Sequence, residues 1–382
     1  MTRRKIIRAV TAAVSVRFHS WVGEAMRPRG YEAVSLSSPG PELDAYAGCG
    51  MEQVTIPMER RISPLRDLVS LYRLWRYMRR ERPVMVHSMT PKAGLLCMMA
   101  SRLAGVPVRV HTFTGLLFPT ATGLRRRLLR LTDTLTAACA THVIPEGRGV
   151  MDDLRAAGIT RKPMRVLGHG NVNGVDLAAF DPDLPALQAE AARLRRGESF
   201  TFLFVGRIAG DKGIDPLTEA FRALRREIPG VRLLIVGPDE TALDPVSPSA
   251  MEALADGDGI ELLGYRDDVR PLMLAADALV LPSYREGFPN VVLEAGAMRL
   301  PAVVTDINGS REIITRGVNG LIVPPRDSAA LLDAMRRMTA MPADERLEMG
   351  RRARLNVAAR FERGYVRRSL LDFYDSILPP AP

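Results

Sequence analysis

"DALVLPSYREGFPNVVLEAG", residues 277–296, runs from a short apolar stretch through a polar loop into a helix-forming stretch. "DALVLPS" reads as a buried strand, and Pro289 suits the first turn of a helix over "NVVLEAGAM", so the segment is one strand–loop–helix unit. Glu286 then lies on the loop and Glu294 about one turn inside the helix, both beside a single helix N-terminus. On one unbroken helix their spacing would separate them by roughly two turns. A helix N-terminus carries unpaired N–H groups and partial positive charge, which favour an anion, and Gly287 admits close backbone approach. Carboxylates beside a bound anion are placed to hold hydroxyl groups. A phosphate flanked by polyols is the chemistry of a nucleotide sugar.

The same unit recurs on either side. From residue 200 the strand candidates are "FTFLFVG", "VRLLIVG", "GIELLG", "DALVLPS", "PAVVT" and "GLIVPP", separated mostly by helical stretches. The first half alternates likewise through "KIIRAVTAAV", "EAVSLSS", "PVMVHS", "VPVRVHTFT", "THVIP" and "MRVLGH". One intervening helix starts at Ser63 as N-cap with Pro64 in its first turn and Pro83 beyond its end; another ends near Gly105. This succession implies parallel sheets covered on both faces, in two Rossmann-like domains facing a cleft. The expected division is 1–172, a polar linker over 173–199, a second domain over 200–360, and a terminal helix over 361–382 that packs back toward the N-terminal domain.

A chain of 382 residues, 47% hydrophobic, is long enough for two such cores. Cys49, Cys97 and Cys139 fit neither a disulfide framework nor a zinc site, which favours a reducing compartment. Arg8 and Arg17 interrupt the apolar start, so it reads as a strand rather than a signal peptide. No uncharged apolar run spans a bilayer. Residues 1–170 hold 27 Lys+Arg against 12 Asp+Glu, a formal charge of +15, while the remainder holds 26 against 31, or −5. The N-terminal half therefore suits an anionic partner.

"FVGRIAGDKG", residues 204–213, sets Gly206 and Arg207 at a strand end and Lys212 on the following loop, two cations where a diphosphate could lie. The P-loop spacing is absent, and no strand is followed by G-x-G-x-x-G, which weakens a dehydrogenase reading.

In this order and separation the two segments resemble the donor-binding domain of glycosyltransferase family 4, retaining enzymes of the two-domain GT-B fold. "VNGLIVPPRD" adds to the likeness, and "SSPGPEL", "PMERRISPLRDL", "TPKAGLL", "ATGLRRRLLR" and "NGVDLAAF" resemble the subgroup that builds capsule, O-antigen or glycan precursors on polyprenyl diphosphate carriers. The resemblance implies that Arg207 and Lys212 hold the donor diphosphate and that Glu286 contacts the hexose. It places the backbone of Gly287, Phe288, Asn290 and Val291, around Pro289, against sugar and phosphate, and Glu294 against the ribose. It implies a nucleoside-diphosphate sugar donor, with UDP favoured, a polyprenyl-diphosphate-linked saccharide acceptor, and no metal or other cofactor.

The N-terminal half departs from the family. "HTFTG" puts Thr114 where relatives often have histidine, with His111 three residues earlier, and Met89 stands where a second histidine is frequent. His111, Thr114 and Lys92 are the acceptor-side candidates. Arg66, Arg73, Arg76 and Arg80 on one helix, with Arg125, Arg126, Arg127 and Arg130 on another, are candidates for an anionic membrane surface, because interleaved Leu, Trp and Tyr can enter headgroups. Nothing resembles a nucleic-acid recognition module. The expected location is cytoplasmic, peripheral on the inner membrane. Two alternatives stay open: a UDP-sugar epimerase of the same architecture, and a catalytically silent nucleotide-sugar-binding scaffold.

Overall fold

Twelve short strands pair into two all-parallel sheets in a computed structural model that describes residues 4–59, 61–197 and 199–378. The first sheet comprises β1 (Arg4–Ala9), β2 (Tyr31–Ser37), β3 (Glu52–Thr55), β4 (Met85–Ser88), β5 (Val108–Phe113) and β6 (His142–Pro145). The second comprises β7 (Thr201–Val205), β8 (Arg232–Val236), β9 (Ile260–Gly264), β10 (Ala278–Leu281), β11 (Ala302–Thr305) and β12 (Gly320–Val323). Their orders are β3-β2-β1-β4-β5-β6 and β12-β11-β10-β7-β8-β9, the same doubly wound arrangement used twice. Strands such as "TFLFV" and "RLLIV" are apolar almost throughout because helices cover both faces.

All six strand candidates of the second half form. In the first half "MRVLGH" does not: Met164 makes a single bridge to Val143, and Gly168 has a positive φ of 55° that breaks extension. The edge strand β3 was illegible because "EQVT" is short, polar and largely uncovered. Ser63 does stand at the N-cap of the helix Pro64–Glu81, though its side chain makes no cap; its backbone N–H donates to the Asp67 carboxylate at 3.2 Å.

The chain divides into one unit of residues 1–173 with 366–382 and a second of residues 174–365. The stretch read as a linker, 173–199, lies almost wholly within the second unit. From Gly174 onward it belongs to the second unit, where the helix Pro185–Leu194 buries Leu187 and Ala191. Val175 N–H donates to Phe361 O at 2.8 Å and its carbonyl accepts from Arg363 N–H at 2.9 Å, which ties that stretch to the return of the chain.

The last helix, Arg363–Ile377, inserts Leu370, Phe373 and Tyr374 into the first unit's core with Ile6, Val110 and Ile144. Arg8, 1% exposed, donates to the Tyr374 hydroxyl and to His87 Nδ1, the latter at 2.6 Å. Tyr374 also bonds His87 Nδ1 at 2.6 Å, leaving His87 Nε2 for Thr112 Oγ1 at 2.7 Å.

Burial holds the His19, His87 and His111 imidazoles neutral, with His111 pushed down to about 3 and the Arg8 charge adding to the effect on the other two. Unfolded histidines take up protons below the ordinary value of 6.5 and these folded ones do not, so each withdraws stability as pH falls from 6.5 toward its folded value. Asp133, raised by burial to about 7, acts in the opposite sense over part of that range, as one group against three. The melting temperature should therefore drop on acidification below pH 6.5, and His111→Asn should make the drop shallower; a flat profile from differential scanning calorimetry would contradict the burial of these rings.

Candidate active site

The reversal of strand order in the second sheet falls between β7 and β10, which pair through Ala278 with Phe202 and Leu279 with Leu203. The loops leaving these two strands are the two segments that carry the sequence motifs. After β7 the chain makes a 3₁₀ turn over Gly210–Lys212, and Gly213 adopts φ 73° before the helix Ile214–Glu227 begins. A Cβ on Gly213 would stand 2.0 Å from Pro282 O, so only glycine lets this loop pass the end of β10. Tyr284 N–H donates to Asp211 O at 2.9 Å and stitches the loops together.

Side chains complete the stitching. Lys212 Nζ lies 2.6 Å from Glu286 Oε1, with each side chain 15% exposed. Arg207 reaches Glu240 at 2.8 Å and Asp211 at 3.2 Å, and Arg285 reaches the same Asp211 Oδ2 at 2.7 Å. Burial opposes the Arg207 charge, and hydrogen bonding to Glu240 with the Asp211 charge outweighs it, raising its pKa. Arg326 stacks 4.0 Å above the Tyr284 ring. Three cations are thus already matched to three carboxylates around the two loops.

Beyond Glu286 the chain turns through buried Gly287, Phe288 and Pro289. Pro289 is the N-cap, one residue earlier than the first-turn position read from sequence, and the helix spans Asn290–Ala297. Glu294 is its fifth residue and half-buried. Gly309 packs against the turn so closely that a Cβ would lie 2.6 Å from Gly287 O and Pro289 Cδ. The Ser283 and Ser310 hydroxyls are buried without hydrogen-bond partners among the described residues. Sequence reading missed Asp211, Arg285, Tyr284, Glu240 and Arg326. The first three lie inside the quoted motifs, whereas Glu240 and Arg326 arrive from distant loops.

Residues 15–170 match a family profile described as glycosyl transferase 4-like domain, and residues 199–340 one described as glycosyl transferases group 1. The chain is 30% identical over 288 residues to the UDP-Gal:alpha-D-GlcNAc-diphosphoundecaprenol alpha-1,3-galactosyltransferase of Escherichia coli, covering 73% of this chain and 72% of that one. It belongs to glycosyltransferase family 4. The capsular polysaccharide biosynthesis glycosyltransferase CapM of Staphylococcus aureus is 29% identical over 381 residues, 99% of this chain and 98% of its own. The GT-B fold superposes on Anabaena Alr3699/HepE, solved with UDP and glucose, with a TM-score of 0.82 at 18% identity over 98% of this chain and 100% of that one.

The glycosyltransferase's first unit treats its candidates differently. His111 is buried, with Nδ1 2.9 Å from Ser88 Oγ and its ring edge-on to Phe113; a Cβ on Gly94 would meet that ring at 2.4 Å. Thr114 Oγ1 donates to Met89 O at 3.1 Å, and Lys92 pairs with Asp67, tying the helix Pro91–Leu103 to the helix Pro64–Glu81. Arg66, Arg73, Arg76, Arg80, Arg125, Arg126, Arg127 and Arg130 are all exposed; Arg66 pairs with Glu59 and Arg80 with Glu81. Among the described residues no group of three or more His, Cys, Asp or Glu is gathered to hold a metal ion.

Gly213→Ala should cost at least about 2 kcal/mol, combining a left-handed backbone with a clash against Pro282 O. Urea unfolding measures this, and an unmoved midpoint would refute the close approach of the two loops.

Proposed function

We propose that this glycosyltransferase is a retaining enzyme that moves a hexose or N-acetylhexosamine from a UDP-sugar to a polyprenyl-diphosphate-linked saccharide during surface polysaccharide assembly. The observation that carries the reading is the Lys212–Glu286 couple at the strand-order reversal, next to the start of the helix Asn290–Ala297. Cations and a helix N-terminus suit a diphosphate, and an adjacent carboxylate suits sugar hydroxyls. The donor and carrier in the name of the Escherichia coli relative, and the UDP and glucose in the Anabaena structure, support the same substrates.

In this reading Arg207 and Lys212 hold the diphosphate and stabilise its negative charge as the sugar departs. Glu286 accepts from the hexose hydroxyls and Glu294 from the ribose. Gly206 admits the phosphates to the end of β7, and the amides of Gly287, Phe288, Asn290 and Val291 line sugar and phosphate. Pro289 contributes no N–H and instead fixes the turn. The acceptor hydroxyl attacks the anomeric carbon on the face the phosphate leaves. The carbon–phosphate oxygen bond breaks, the new glycosidic bond forms, and the departing phosphate oxygen takes the hydroxyl proton. The site's positive charge comes from Arg207, Lys212 and the helix end, so we propose that no divalent metal is needed.

We place the enzyme at the cytoplasmic face of the membrane through its first unit. No helix of the described residues is long and apolar enough to cross a bilayer. On the helix Pro64–Glu81, Leu65, Leu68, Val69 and Tyr72 project from the exposed side beside Arg73, Arg76 and Arg80. The helix Gly123–Cys139 exposes Leu124, Leu128, Leu131 and Leu135 among its own arginines. Both pack on the helix Pro91–Leu103, so the two apolar and basic stripes lie in one helical layer. Each basic residue near anionic headgroups contributes about 1 kcal/mol.

Incubation with a panel of nucleotide sugars and a polyprenyl-diphosphate sugar, read by mass, should yield a saccharide lengthened by one sugar, and Lys212→Ala should slow its formation by about tenfold or more. Full activity in that variant would remove the diphosphate role. Replacing Arg73, Arg76 and Arg80 together by Gln should release the protein from vesicles containing anionic lipid in a sedimentation assay, and undiminished binding would refute this surface.

A further inference from the structure

Lys212 and Glu286 hold each other at 2.6 Å, yet the proposed reading sends them to different parts of the donor, one to the diphosphate and the other to the hexose. A phosphate that draws Lys212 toward itself competes with Glu286 for the same ammonium. We propose that this ion pair makes the site discriminate an intact nucleotide sugar from the nucleoside diphosphate left after transfer. The inference rests on the donor-site reading above.

The asymmetry follows from what each ligand offers Glu286. With intact donor, Lys212 exchanges the carboxylate for phosphate, and the released carboxylate accepts from sugar hydroxyls, so charge-assisted bonds are kept on both sides. With the nucleoside diphosphate alone, Lys212 makes the same exchange but Glu286 meets no hydroxyl. A mostly buried carboxylate stripped of its partner is unfavourable, and here it also stands beside the phosphate's own negative charge. Neither neighbouring arginine is placed to replace Lys212 at Glu286: Arg285 is paired with Asp211, and Arg207, between Glu240 and Asp211, is directed to the diphosphate in the same reading. Product is thereby held weakly and released, while substrate escapes the penalty.

Glu286→Gln keeps the side chain's shape and removes its charge. Calorimetric titration of wild type and variant with UDP, with inorganic pyrophosphate, and with UDP-glucose, UDP-galactose and UDP-N-acetylglucosamine tests the proposal. UDP and pyrophosphate should bind the variant about tenfold more tightly, and the preference for the best sugar nucleotide over UDP should shrink correspondingly. Glu286→Ala should move UDP binding the same way, and unchanged melting temperatures show that both variants remain folded. UDP and pyrophosphate binding no tighter in either variant than in wild type overturns the discrimination and leaves the donor site standing. A wild-type protein that binds none of the five ligands defeats the donor-site reading, and this inference with it.

Discussion

The pairing of β7 with β10 is the contact on which the second unit's chemistry depends. Strands are added outward from this pair on both sides, so the loops leaving β7 and β10 stand together at the strands' carboxyl ends, where Tyr284 N–H donates to Asp211 O at 2.9 Å. Gly213 and Gly309 let three backbone segments converge there with no side chain between them. The turn that leads into the helix Asn290–Ala297 is thereby brought to Lys212 through Glu286, 74 positions further along the chain.

Electrostatics then decide how three cations and three carboxylates are tolerated around these loops. Unpaired charges this partly buried would be unfavourable, and the protein avoids this by mutual pairing: Lys212 with Glu286, Arg207 with Glu240 and Asp211, Arg285 with Asp211. The arrangement ties the two loops to each other. Asp211 matters most to this order, since its side chain joins two arginines and its carbonyl receives the Tyr284 amide.

The first unit repeats the strand order and uses its reversal differently. Between β1 and β4 the loops are closed on each other by Thr11 and Thr90, whose hydroxyls lie 2.6 Å apart, with Ala93 N–H donating to Thr11 Oγ1 at 3.1 Å. Beneath them Arg8, His87 and Tyr374 bind the last helix to the sheet. Arginines of this unit stand exposed on the helices Pro64–Glu81 and Gly123–Cys139, while Arg8, Glu146 and Asn171 are buried.

Most strands, the doubly wound architecture, its repetition and the two loops that meet after β7 and β10 were legible in the sequence. Apolar runs of four to six residues between helical stretches report burial directly, and Gly, Pro and charged residues mark the loops between them. Lys212 and Glu286 are recognisable as members of one site from their motifs alone. The polar edge strand β3 is not, because its pairing is carried by backbone hydrogen bonds that leave no apolar signature. Tertiary structure alone decided that Lys212 and Glu286 face each other, that Glu240 and Arg326 join them, and that His111 is sealed beneath Gly94. The reason is physical: periodicity records which face of an element is buried, while the partner of a charge is set by how distant loops converge.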